Sequence, residues 1–150
     1  MIALVQRVAE AKVSVGGDTI GSIGRGVLAL IGVERGDTQA EADRLSQKIM
    51  SFRMFEDDAG KMNRSVADIG GEILAVPQFT LAADTNSGTR ASFSAAAAPP
   101  DAERLFSHLV EILKKKVRTA TGRFGADMQV SLVNDGPVTF WLQVSPQNKS

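Results

Sequence analysis

A chain of 150 residues with 17 basic and 17 acidic side chains has no net charge to draw in nucleic acid as a whole, so any RNA contact must be local. Its 43% hydrophobic and 23% charged residues lie far from the composition of a disordered chain, and its lack of Cys removes disulfides, thiolate nucleophiles and Cys-based zinc sites. The longest apolar run, Val27 to Val33, is interrupted by Gly32 and is too short to cross a bilayer as a helix, while Met1 to Arg7 lacks the features of a secretory leader, so a cytoplasmic location without membrane contact is expected.

In chain order, Ile2 to Val8 and Lys12 to Val15 read as two strands, with Gly16-Gly17-Asp18 as the turn into Thr19-Ile20. Val27 to Val33 reads as a buried strand. Arg35-Gly36-Asp37 then breaks the chain, and Asp37 or Thr38 is placed to cap a helix over Gln39 to Ser51, where Ala42, Leu45, Ile49 and Met50 recur at helical spacing. Phe52 to Phe55 reads as a short strand, Asp57 to Gly60 as a turn, and Ile73 to Phe79 as a central strand. The small and polar residues from Ala82 to Ala98 predict a surface loop. Pro99-Pro100 suits the first turn of a second helix, whose stripe is Leu105, Phe106, Leu109, Val110, Leu113 and Val117. Met128, Val130 and Leu132 alternate with polar residues, as do Val138, Phe140, Leu142 and Val144, so Asn134-Asp135-Gly136-Pro137 reads as a tight turn joining two strands. A frayed tail is expected over 145–150. The sum is a mixed α/β fold in a single domain, 1–150: packed, barrel-like β-sheets with two main helices on the outside.

The chemistry is narrowed mainly by what is missing. His108 is the only histidine and sits in the second helix away from any nucleophile, so a Ser-His-Asp mechanism or a His-rich metal site lacks its residues. Glu56, Asp57 and Asp58 lack the ligand spacing of a calcium loop and read as a charged turn, and no metal or cofactor is expected. Gly21, Gly24 and Gly26 match no nucleotide-binding fingerprint and read as strand-end turns. Lys114, Lys115, Lys116, Arg118 and Arg123 form a basic stretch, read either as a local RNA patch or as a solvated helix end complementing the helix dipole. Gln78 and Thr80 interrupt an apolar run at Pro77-Gln78-Phe79-Thr80-Leu81. On pattern alone they are outward members of a strand, just as Asn134 to Pro137 is a hairpin turn on pattern alone.

At these two segments the chain resembles the D-aminoacyl-tRNA deacylase family, which carries Ser-Gln-Phe-Thr-Leu and Asn-x-Gly-Pro-Val-Thr. The second motif is intact as Asn134 to Thr139, whereas the first has Pro77 in place of the usual Ser. Further likenesses are Leu4-Val5-Gln6-Arg7-Val8, Gly60-Lys61-Met62-Asn63 and Thr121 to Met128, so the resemblance covers nearly the whole chain.

The resemblance implies an enzyme that hydrolyses the ester of D-aminoacyl-tRNA and glycyl-tRNA, works as a homodimer and needs no cofactor. It implies that Gly136-Pro137, as a cis peptide clamped by Arg7, reaches into the partner's pocket. There the backbone carbonyls of the pair would accept from the substrate's ammonium group and leave an L side chain no room. Gln78, Phe79 and Thr80 are the implied catalytic segment, with backbone N–H groups near Phe79 and Thr80 stabilising the oxyanion and water attacking with help from the tRNA's 2′-hydroxyl. Phe124 and Met128 are implied to hold the terminal adenosine, and Lys114, Lys115 and Lys116 are candidates for further tRNA contact. Pro77 also occurs in related deacylases that act on mischarged L-alanyl-tRNA. That activity and a non-catalytic RNA-binding dimer are the competing readings.

Overall fold

The computed structural model describes residues 1–146. Among them the chain forms eight strands and two helices in the order β1 (Ile2–Val15), β2 (Asp18–Ile23), β3 (Gly26–Gly32), α1 (Gln39–Ser51), β4 (Phe55–Glu56), β5 (Met62–Arg64), β6 (Glu72–Pro77), α2 (Pro99–Lys114), β7 (Arg118–Thr121) and β8 (Gln129–Gln143). A 3-10 turn, Phe79–Ala82, follows β6.

Six strands form one curved, nearly closed sheet, in the order β2-β1-β3-β6-β7, with β8 on the other edge of β1. Strand β1 is its spine. It pairs antiparallel with β3 through its first half, with β2 through its second, and with β8 along nearly its whole length. Strands β3, β6 and β7 are parallel neighbours, and parallel strands need crossovers, which α1 and α2 supply on one face. Burial of β3 and β6 on both faces explains why they read as nearly unbroken apolar runs. One core lies between the sheet and the helices, built on Val5, Ala29, Leu45, Ile49, Leu105 and Leu109. A second, smaller core holds Val8, Val13, Leu28, Leu74 and Val76 together with the half-buried Met128, Val130 and Leu132.

Both helices start as the residues require. Thr38 caps α1 with a capping box, its side chain accepting from Ala40 N at 3.3 Å while the Glu41 carboxylate accepts from Thr38 N at 2.6 Å. Asp37, the other candidate cap, instead accepts from Glu34 N at 2.7 Å and pairs with the Met1 ammonium at 2.9 Å. Pro99 and Pro100 open α2, which ends at Lys114, one turn short of the buried Val117 that extends its stripe.

Several expectations are corrected. The two strands expected over Ile2 to Val15 are one, because irregular pairing at Val8 to Glu10 absorbs the exposed Ala9-Glu10 as a distortion of β1. The expected strand over Phe52 to Phe55 begins only at Phe55, since Phe52 is the C-cap of α1. Strand β7 lies within the basic stretch and was not expected, because four residues, Arg-Thr-Ala-Thr, carry little apolar signal. Of the glycines read as strand-end turns only Gly24 lies between strands. Gly21 and Gly26 sit within them, where a Cβ would lie 2.8 Å from Thr121 O and collide with the Glu72 backbone respectively. The largest correction is β8: Asn134 to Pro137 does not turn the chain back, and residues 129–143 run as one strand along β1. Of the tail, Ser145 O accepts from Arg44 Nη2 at 2.7 Å, and 147–150 lie outside the described residues.

Candidate functional site

The parallel pairing of β3 and β6 ends at Ile31 opposite Pro77. Pro77 also closes the β6–β7 ladder, because it has no N–H to continue past the bond from Gly122 N to Ala75 O at 2.9 Å. After a last bond from Gln78 N to Ile31 O at 2.7 Å, the chain coils into the 3-10 turn. The central strand therefore stops two residues before Phe79, and Gln78 and Thr80 are not outward members of an alternating strand. The coil brings them together: Gln78 Nε2 donates to Thr80 Oγ1 at 2.5 Å. Gly32 makes room for this, since a Cβ there would stand 2.9 Å from Leu81 Cβ and 3.2 Å from Gln78 O. Phe79 is 61% exposed, and its ring meets Phe93 at 5.2 Å between centroids.

A cavity of about 1190 Å³ opens beside this turn. Gln78, Phe79, Phe124 and Met128 all line it, so four of the residues singled out in the sequence converge. Thr80 joins them through Gln78. A Cβ on Gly122 would lie 2.8 Å from Met128 Sδ, so the bare glycine lets the thioether settle against the end of β6. Lys114, Lys115 and Lys116 do not line the cavity. They stand at the far end of α2, exposed, with Lys115 as its C-cap.

The Asn134 to Thr139 segment forms a bulge. Gln6 pairs with Thr139 and Val8 with Asn134, so two steps along β1 face five along β8, and three extra residues are thrown outward. Within the bulge the Gly136-Pro137 peptide is cis and Gly136 has a φ of 137°, a region that favours glycine. The motif's polar side chains hold its shape. Asn134 Oδ1 accepts from Val138 N at 3.1 Å, and Asn134 Nδ2 donates to Thr139 Oγ1 at 3.0 Å. Arg7 braces the bulge from β1, donating from Nε to Asp135 O at 2.9 Å and from Nη1 to Met54 O at 3.0 Å. Gly136 and Pro137 are exposed and do not line the cavity of their own chain.

Other polar groups have structural partners. His108 Nε2 meets Asp43 Oδ1 at 2.7 Å and ties α2 to α1. Asp57 accepts from Ala59 N, Lys61 N and Asn63 Nδ2, and these bonds, led by that from Lys61, hold its carboxyl below the ordinary range. At the cavity wall burial pushes the Asp37 carboxyl up, against the Met1 ammonium that pulls it down. Sequence reasoning missed Phe93, Gly32 and Gly122. Only Gly32 left a signal, as a break in an apolar run.

Comparison with known proteins agrees in extent. A family model described as D-Tyr-tRNA(Tyr) deacylase matches residues 4–143. The chain is 63% identical over 148 residues to a D-aminoacyl-tRNA deacylase of Thioalkalivibrio sulfidiphilus, covering 97% of this chain and 99% of the relative. It is 62% identical to one of Herminiimonas arsenicoxydans, covering 97% and 99%. Among solved structures, the c-Myc DNA Unwinding Element Binding Protein superposes with a TM-score of 0.92 at 43% identity, covering 97% of this chain and 100% of that one.

Proposed function

The chain belongs to the D-Tyr-tRNA(Tyr) deacylase family, and we propose that it hydrolyses the ester of D-aminoacyl-tRNA in the cavity beside the 3-10 turn, with a second copy's Gly136-Pro137 as the test of handedness. One observation carries the reading: Gln78, Phe79, Phe124 and Met128, drawn from two separate segments, line one cavity, and Thr80 is hydrogen-bonded to the first of them.

In this reading the adenine of the tRNA's last nucleotide lies against Phe124 and Met128, an aromatic face and a polarizable thioether suited to a base. The ester carbonyl then sits over the opening of the 3-10 turn. The first internal bond there runs from Leu81 N to Gln78 O at 3.3 Å, so the N–H groups of Phe79 and Thr80 precede it and are placed to donate to an oxyanion. Gln78 holds the Thr80 hydroxyl by its amide, and no histidine stands by to take the Thr80 proton, which favours attack by water, aided by the neighbouring 2′-hydroxyl, over an acyl-Thr intermediate.

The test of handedness needs a second copy because the bulge is exposed and lies outside its own cavity. The β1–β8 surface that carries the bulge is also suited to self-association. Trp141 is 52% exposed and pairs across the strands with Leu4, and Val133 is 51% exposed on the same strand. Main-chain carbonyls of Gly136 and Pro137 would accept from the ammonium group and exclude an L side chain, while glycine, with no side chain, would pass.

The test is hydrolysis of one D-aminoacyl-tRNA beside its L-counterpart, glycyl-tRNA and L-alanyl-tRNA. Turnover of the D and glycyl esters with the L ester spared supports the reading. Preference for L-alanyl-tRNA would move the protein to the related group that shares Pro77, and binding without turnover would leave an RNA-binding dimer.

A further inference from the structure

We propose that Arg35 and Arg104 form a second subsite of the same cavity, one that takes the phosphodiester backbone of the substrate's single-stranded 3′ end. This rests on the deacylase reading and adds the residues by which RNA is held.

Both arginines line the cavity that Gln78, Phe79, Phe124 and Met128 also line. With 17 cations against 17 anions, the molecule offers a polyanion no general attraction, so affinity for phosphate must come from cations at the site itself. Arg35 is exposed in the β3–α1 connection, which is pinned by the bond from Arg35 N to Ala95 O at 2.8 Å. Among the described residues its guanidinium pairs with no carboxylate. Arg104 pairs, among the described residues, only with Asp101, one turn back on α2 at 3.2 Å, and both side chains are more than half exposed. Such a pair is worth little in water, so a phosphate can replace or join the carboxylate at small cost.

Each of the three carboxylates on the same wall already has a cation, Asp101 the Arg104 guanidinium and the other two a shared ammonium. Glu34 and Asp37 turn their carboxylates to the Met1 ammonium, each at 2.9 Å. The start of α2 offers fewer amides than most helices, because its first two residues, Pro99 and Pro100, have no N–H. Charge for a phosphate in this part of the cavity comes from the two arginines, and a planar guanidinium matches a phosphate's paired oxygens. Lys114 begins the other basic cluster ten residues further along α2, about 15 Å down its axis, beyond the cavity's lining.

The experiment is a salt series on Arg35→Ala, Arg104→Ala, the double variant and Arg104→Lys, with circular dichroism and melting to confirm folding. KM and kcat for D-aminoacyl-tRNA are measured at each salt concentration. A phosphate contact on single-stranded RNA contributes about 0.7 to the log–log salt slope, which at 0.15 M salt corresponds to about fourfold in affinity. Each Ala variant is expected to raise KM about fourfold and the double variant about fifteenfold, with the slope shallower by about 1.4 in the double variant. Arg104→Lys, which keeps the charge, should retain most of the slope. An unaltered KM and slope in the folded double variant overturns the proposal, as does a fall in kcat alone. Equilibrium binding of uncharged tRNA over the same salt series reads the subsite without turnover, so loss of this inference and loss of the deacylase reading are separate outcomes.

Discussion

Thr80 is the residue whose appearance invites a nucleophile's role. A hydroxyl bonded to the wall of a cavity resembles a nucleophile, yet its observed partner is the Gln78 amide, which donates a proton and cannot accept one. Thr80→Ala keeps the main-chain N–H and should therefore lower kcat by less than the roughly 10²–10³ that loss of an oxyanion donor costs, keeping measurable turnover, and mass spectrometry of quenched reactions should show no acylated protein. Gly136 is demanding in a different way. An alanine there would need a φ near 137° and would set its Cβ 2.7 Å from Val138 Cγ2, so the bulge must shift. Strain of this kind costs about 1–3 kcal/mol, and Gly136→Ala should lower the ratio of D- to L-ester hydrolysis at least about tenfold, with only a modest fall in Tm. At this scale the motif residues were legible as types and spacings, Gly32 showed only as a break in an apolar run, and Gly122 and Phe93 left no signal. Their roles depend on what approaches them from distant parts of the chain, and a sequence does not print that.

Elements were read best where a single periodicity ruled. Both helices were found, because each lays a stripe of apolar residues on the sheet. The failures came where local turn chemistry met long-range pairing. Asp-Gly followed by Pro is a strong hairpin signal, but 15 residues of β8 are held to β1 on both sides of it, and a bulge three residues deep satisfies the local geometry without reversing the chain. The end of β6 was overrun for a related reason, since Phe79 and Leu81 continue the apolar pattern while the backbone has already coiled. The β4–β5 turn offers a test by pH. Hydrogen bonds hold the Asp57 carboxyl below its ordinary 3.8, so the folded state keeps the group ionised more readily than the unfolded chain does. Its stabilisation is present above that ordinary value and fades as pH falls through the lower folded one. Asp57→Asn should lower Tm at pH 7 and flatten its decline below about pH 4, so that the two melting points converge as pH falls.

At the scale of the whole molecule, charge balance implies that any RNA contact is local but not where it lies, and the cavity's position could not be read before β3, β6, β7 and the 82–98 segment were assembled. The resemblance to a deacylase family located the two motifs, whereas their relation in space, one in the cavity wall and one on an outward bulge, came only with the fold. Trp141 is the only tryptophan and is half exposed, so it reports on association directly. Its fluorescence emission should shift to shorter wavelength as protein concentration rises through the dimer range. With the proposed second copy seated on this surface, Trp141→Arg should yield a monomer by light scattering and lose hydrolysis with it. Finally, Arg7 grips the bulge at Asp135 and the corner after α1 at Met54 with the same guanidinium. The outward loop is thereby surveyed from a fixed landmark of the helix-bearing side. Transplanted to another sheet without that corner, the same six residues would keep their spelling and lose their aim.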